Sequence, residues 1–138
     1  MVIVETDFLV ALSSKGDRHH AEVRRLLEEL NGVFLSPYSL VELDLLITSG
    51  VLRVRPVAFY GALSRVLPYY GVTVIRPKPS HLAKAWELRS GYDLSFFDSL
   101  HAAVAIEEGE ALVSYDRKYS DIEELTYIYP TDLLARRP

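Results

Sequence analysis

The sequence contains no cysteine, which excludes disulfides and thiolate metal sites. It has no apolar run approaching the roughly 20 residues that a membrane span requires. It also lacks positive charge in excess: 15 Lys and Arg stand against 19 Asp and Glu, for a formal net charge of −4. A protein that holds nucleic acid by charge alone is usually basic. Any such role here needs local basic patches, bound cations, or both. The opening stretch, MVIVETDFLVAL, has no basic n-region and carries two acids, unlike a secretory signal. These absences lead to the expectation of a cytoplasmic protein with no membrane partner.

What is present fits one folded unit. The chain has 138 residues, 49% of them apolar and 25% charged, enough for a single domain over 1–138 with a real core. No repeat, linker or low-complexity segment interrupts it.

Short β-branched runs alternate with helical patterns. Strands are expected at 2–5, 32–36, 71–77, 111–116 and 125–130. Helices are expected at 6–14, capped by Thr6 or Asp7; at 17–31, capped by Asp17; at 39–50, capped by Ser39; and at 55–70. Further helices are expected at 80–90, at 95–109 with Ser95 as cap and Gly109 as terminator, and at 131–136. Strands separated by helices predict a parallel sheet covered on both faces. The fold class expected is α/β, a three-layer sandwich around five parallel strands.

In such sheets ligands bind at the carboxyl ends of the strands, and acids collect there. Glu5 closes the first strand, with Asp7 two residues on. Glu42 lies in the first turn of the helix after the second strand. Asp98, in SFFDSLHAAVA, lies in the first turn of its helix, and Asp116 closes the fourth strand. Like charges brought this close raise each other's pKa. A hard divalent cation relieves that, and an oxygen-rich set without cysteine favours Mg²⁺ or Mn²⁺ over zinc. Metal held by carboxylates, with positions left for water, is equipment for phosphodiester hydrolysis.

Each acid taken alone has a structural reading: Asp7 as an N-cap, Glu42 as a favourable charge at a helix start, Asp98 as capping-box partner of Ser95, Asp116 as a turn residue. The argument rests on their joint placement. His19 and His20, adjacent on a helix, point about 100° apart and are expected at the surface. His101, one turn after Asp98, is expected to pack behind the acids rather than ligate a metal.

The stretches VETDFLVAL, SLVELDLL, SFFDSLHAAVA and LVSYDRKY, in this order, resemble the four acidic motifs of the PIN-domain family, in particular its small VapC-like ribonuclease toxins. DRHHAEVRRLLEEL resembles that family's second helix. The resemblance covers nearly the whole chain and implies a Mg²⁺- or Mn²⁺-dependent endoribonuclease on a five-stranded parallel sheet. Glu42, Asp98 and Asp116 fall on acidic positions of their motifs. The first motif departs from the pattern. The family usually has Asp-Thr-Asn or Asp-Ala-Ser, whereas Glu5-Thr6-Asp7 stands here. By register Glu5 takes the ligand position, and Asp7 is the alternative; both are expected to line the site.

Mechanistically, Asp98 and the Glu5/Asp7 pair are expected to hold the main ion, with Glu42 and Asp116 completing the site directly or through water. Glu42 or Asp116 is then available to accept a proton from water. Thr6 and Ser114 are candidates to position phosphate or water, and Arg117 and Lys118 to guide RNA phosphates. The apolar segments 38–50 and 55–70 exceed what one sheet face needs. The resemblance implies homodimerisation and capture by an antitoxin through such surfaces; the plain alternative is core.

Two other functions remain in view. A PIN-like module that binds RNA without cutting it would tend to have lost acids, but all four motif positions are acidic here if Glu5 counts. A phospho-receiver domain needs an Asp after the third strand and a Lys after the fifth, where Arg76-Pro77-Lys78 and Tyr129-Pro130 stand.

Overall fold

The computed structural model describes residues 1–135. In chain order its elements are β1 (Val2–Val4), α1 (Thr6–Ser13), α2 (His20–Glu29), β2 (Val33–Leu35), α3 (Tyr38–Thr48), α4 (Pro56–Tyr69), β3 (Thr73–Val74), α5 (Pro79–Gly91), α6 (Phe96–Glu108), β4 (Ala111–Val113), a 3-10 turn (Arg117–Asp121), β5 (Tyr127–Ile128) and α7 (Pro130–Ala135). The expected last helix is thus present one residue early, and its residue 136 lies outside the described residues. Among the described residues no helix is long and apolar enough to cross a membrane.

The strands form one sheet in the order β3-β2-β1-β4-β5, every neighbouring pair parallel. The three-layer α/β sandwich read from the sequence is the fold observed. Side chains alternate across the sheet, as the period of two requires. Val4, Val33, Leu35 and Val113 face a core shared with Phe8, Leu9, Val23, Leu26, Leu43 and Leu63 of α1 to α4. Ile3 and Leu112 face a second core with Ala85 and Leu88 of α5 and the Leu100–Ala105 run of α6. Each large aliphatic side chain fully buried in these cores contributes about 1.5–3 kcal/mol. Small alanines at 102, 103 and 105, all fully buried, let α6 lie close on the sheet.

The strands are shorter than their apolar runs suggest, and the reason bears on the site. Val4 pairs with Leu35 and Val113, Leu35 with Val74, and Val113 with Ile128. The ladder ends on that row, and the next residues, Glu5, Ser36 and Ser114, are polar and buried. They leave the ladder at one edge of the sheet.

Several helix starts differ from expectation. Glu5, not Thr6 or Asp7, caps α1 through its side chain. Asp17 accepts from the His19 N–H, and α2 starts only at His20. Pro37 precedes α3, and Ser39 lies inside the helix, buried. Ser95 does cap α6, accepting from the Asp98 N–H, and Gly109 ends that helix at φ 70°, which glycine adopts without steric cost.

Candidate active site: a carboxylate cleft

At the strand edge just described lies a cleft of about 430 Å³. Glu5, Thr6, Asp7, Glu42, Asp98 and Asp116 line it, together with Asp17, His19 and Tyr115. Five candidate acids from four separate chain segments therefore share one cavity. The common strand ending explains this. β1 and β4 deliver Glu5 and Ser114 side by side, and helices leaving the same edge add Asp7, Glu42 and Asp98.

Glu5 and Asp7 are joined through Ser114. Ser114 Oγ is 3.1 Å from Glu5 Oε2 and 3.0 Å from Asp7 Oδ2. One hydroxyl hydrogen serves two carboxylate oxygens. Glu5 Oε1 accepts from the Asp7 N–H at 3.1 Å, and Asp7 Oδ2 accepts from the Tyr115 N–H at 2.7 Å. This capping turn brings Glu5 and Asp7 to the same side of the chain. Burial, partly offset by His101, pushes the Glu5 carboxyl up. Burial and the neighbouring Glu5 charge push Asp7 well above the usual carboxylate range. Asp7 Oδ1 is buried without a hydrogen-bond partner.

Glu42 has a different environment. Its Oε1 lies 2.8 Å from His101 Nε2 and accepts from the Thr6 hydroxyl. Burial opposes the Glu42 charge, but these two hydrogen bonds and the His101 charge together bring its carboxyl below the ordinary value. His101 is fully buried, and its Nδ1 lies 2.7 Å from Ser36 Oγ. With Nε2–H donated to Glu42, Ser36 can serve a neutral ring as donor or a charged ring as acceptor. His101 thus packs behind the acids, as expected, and both its nitrogens are engaged. Thr6, a candidate for phosphate or water, has its hydroxyl directed to Glu42 and orients that carboxylate.

Asp98 faces the Tyr119 hydroxyl, 3.3 Å from its Oδ1. Its own N–H takes the Ser95 cap, so the S-x-x-D stretch both starts α6 and turns an acid into the cleft. Asp116 borders the cleft while its Oδ1 accepts from the Lys118 N–H at 2.9 Å, starting the 3-10 turn. The turn role and the cleft position coexist. Arg117 and Lys118 are not among the cleft-lining residues. The Arg117 guanidinium sits over the Tyr129 ring, 3.8 Å from its centroid, and Lys118 borders a separate hollow with Tyr92 and Asp121.

The donor chemistry fits a hard divalent cation. Glu5, Glu42 and His101 each offer a ligand atom within 4.8 Å of the others. Asp7 Oδ1 is a buried oxygen lacking a partner, and Glu5 and Asp7 are both disfavoured as anions without a counter-charge. Oxygen donors dominate, and the one imidazole is already bonded on both sides.

Sequence reasoning did not find Tyr119, Tyr115 or Ser36. Tyr119 is a buried phenol that donates to Glu5 Oε2 at 3.0 Å as well as facing Asp98. The only signal for it was its place one 3-10 turn after Asp116. His19, expected at the surface, is half-buried and borders the cleft, stacked on Tyr115 with ring centroids 3.6 Å apart. His20 does diverge from it, with Nδ1 2.8 Å from the Ala11 carbonyl.

A family model described as PIN domain matches residues 2–125. A comparison of the sequence with curated proteins finds no match. Among solved structures, VapC20 of Mycobacterium tuberculosis, described as a sarcin-ricin-loop cleaving toxin, superposes with a TM-score of 0.68 at 24% identity, over 88% of this chain and 94% of that one. VapBC2 of Rickettsia felis, bound to a promoter DNA fragment, gives 0.72 at 22% identity, over 93% and 98%. A FitAcB structure from Neisseria gonorrhoeae gives 0.68 at 17%, over 95% and 99%. At these identities the solved structures speak for the fold, while the family model spans most of the sequence. The chain belongs to the PIN-domain family.

Proposed function

We propose that this protein is a Mg²⁺- or Mn²⁺-dependent endoribonuclease that hydrolyses RNA phosphodiester bonds, and that it is the toxin of a toxin–antitoxin pair. The observation that carries this reading is the convergence of Glu5, Asp7, Glu42, Asp98 and Asp116 on one cleft, with a buried, partnerless oxygen on Asp7.

Asp98 and the Glu5/Asp7 pair would hold the ion, with Glu42 and Asp116 completing its surroundings. A divalent cation supplies neutralisation of the scissile phosphate and acidification of a bound water. The chain's own residues do the rest. Ser114 and Tyr119 fix the Glu5, Asp7 and Asp98 oxygens in place. His101 and Thr6 keep Glu42 ionised and aimed. Asp116, partly exposed, would accept a proton from water in the cleft.

Two surfaces support the partner assignments. An apolar groove of about 450 Å³ runs between α1 and α4, lined by Leu12, Val54, Ala58, Phe59, Leu63 and Val66. Such a groove suits an apolar segment of an antitoxin, and relatives in fold are seen in VapBC and FitAB complexes. A separate face carries exposed Val41, Leu82, Trp86 and Phe96. Apolar side chains this exposed and this close together suit a homodimer contact. The fold and composition accord with a cytoplasmic setting. Incubation of the purified protein with RNA in Mn²⁺, in Mg²⁺ and in EDTA tests the activity; absence of cation-dependent cleavage on every RNA would leave an RNA-binding module instead.

A further inference from the structure

The acids account for the floor of the cleft but not for its aromatic side. Tyr115 is fixed there at three points. Its backbone N–H is given to Asp7, its hydroxyl donates to Glu22 Oε1 at 2.6 Å, and its ring meets Tyr129 edge-on with centroids 5.5 Å apart. Glu22 is itself held by the Thr131 hydroxyl at 3.1 Å. On the ring of Tyr115 lies the imidazole of His19, 3.6 Å away and only 14° from parallel. Both rings border the same cleft as the carboxylates. Arg18 Nε donates to His19 Nε2 at 3.1 Å, so a guanidinium lies at the imidazole edge, and Arg18 is exposed.

We propose that the His19–Tyr115 stack is a nucleobase subsite. A base of single-stranded RNA extends the column on the imidazole face opposite Tyr115, and the Arg18 guanidinium takes the adjoining phosphate. This rests on the ribonuclease reading and adds to it. An acidic protein cannot gather RNA by net charge, whereas stacking is uncharged and tolerates any base. A platform already bolted at three points loses little freedom when a base arrives. Because Tyr115 N–H also binds Asp7, the platform and the carboxylates keep a fixed separation, so a strand whose base stacks on His19 runs on into the carboxylate cleft. Bases within a duplex have both faces covered, so the subsite selects unpaired nucleotides.

The test compares binding of two fluorescein-labelled hexamers in Ca²⁺: oligouridylate, and the same ribose-phosphate chain without bases. Phosphate contacts are common to both, so their ratio reads the base alone. Wild-type protein should prefer the uridylate by about 10-fold. His19→Ala should abolish the preference while leaving the baseless chain bound as before, and His19→Phe should restore it, with the thermal midpoint of both variants confirming a folded chain. Three results would each overturn the subsite: equal or absent binding of the two hexamers by wild type, a preference that survives His19→Ala, or failure of His19→Phe to restore it. A normal preference without Mn²⁺-dependent cleavage of RNA would instead sink the nuclease reading and leave the subsite standing.

Discussion

Tyr119 holds Glu5: its hydroxyl donates to Glu5 Oε2 at 3.0 Å, while Asp98 Oδ1 lies 3.3 Å from the Tyr119 hydroxyl oxygen. One phenolic hydrogen therefore stands between two acids that reach the cleft from chain positions 93 residues apart. Burial, then the Glu5 and Asp98 charges, push the phenol well above its usual value, so it stays a donor. Glu5 replaces the shorter Asp usual in the family motif, and this hydroxyl and Ser114 position its extra length.

Tyr119→Phe keeps the buried ring and removes only the donor. Partners that orient ligands typically cost 10–100-fold in metal affinity when lost. Titration calorimetry with Mn²⁺ should show about 10-fold weaker binding with the fold intact. Unchanged affinity would mean that Glu5 and Asp98 need no such fixing.

The Glu5 and Asp7 carboxyls are both raised in the folded protein. Between the unfolded values, near 4, and the raised folded values, the native chain binds more protons than the unfolded one, so stability falls as pH rises. Glu42 and Glu108, both lowered, act in the other direction, losing their contribution only as pH drops below about 4. Metal-free protein should therefore melt highest in mild acid and lose thermal stability toward neutrality, and Mg²⁺ should flatten that slope. Binding of Mn²⁺ at neutral pH should release protons, visible as a dependence of the calorimetric heat on buffer ionisation enthalpy. Asp7→Asn should raise the metal-free melting temperature at pH 7 while weakening metal binding. A flat metal-free profile would contradict the raised carboxyls.

His101 has both ring nitrogens engaged and no exposed surface. His101→Leu keeps the bulk and strands Ser36 Oγ and one Glu42 hydrogen bond. Leaving a fully buried group such as Ser36 Oγ unsatisfied costs about 1–3 kcal/mol, and Glu42 keeps its Thr6 hydrogen bond, so urea denaturation should show a loss in that range. A neutral outcome would show that water replaces the imidazole.

Trp86 is 69% exposed on the face shared with Val41, Leu82 and Phe96. If this face joins two copies, Trp86→Asp should convert a dimer to a monomer in sedimentation velocity without altering Mn²⁺ affinity. Wild-type protein that is already a monomer at micromolar concentration would remove the dimer from the account.

Much of the fold was legible because its signals are local. Val2–Val4, Val33–Leu35 and Ala111–Val113 are short apolar runs bounded by polar or turn residues, and Ser95 and Gly109 bracket α6 as a cap pair should. The meeting of the acids was legible for a topological reason: parallel strands all end at one edge, so residues just beyond them are neighbours whatever their distance in sequence. The hydrogen-bond network was not legible. Tyr119 meets Glu5 across 114 residues and Tyr115 meets Asp7 across 108, and such meetings depend on the path of the 3-10 turn and on side-chain rotamers that no local pattern encodes. The capping of α1 was misread for a related reason. Asp7 is a good cap by type, but its carboxylate is drawn to the Tyr115 N–H, and Glu5 takes the cap in its place. The His19 stack was hidden for the same reason, since its partner Tyr115 follows β4, far away in sequence.

The central claim is cation-dependent cleavage of RNA at this cleft, and Asp98→Asn tests it most directly, since it preserves shape and the Ser95 cap. RNA incubated with wild-type protein should be cut in Mn²⁺ and untouched in EDTA, and Asp98→Asn should be slower by about 100-fold or more. Cleavage by Asp98→Asn at the wild-type rate, or cleavage by wild type undiminished in EDTA, would contradict the account.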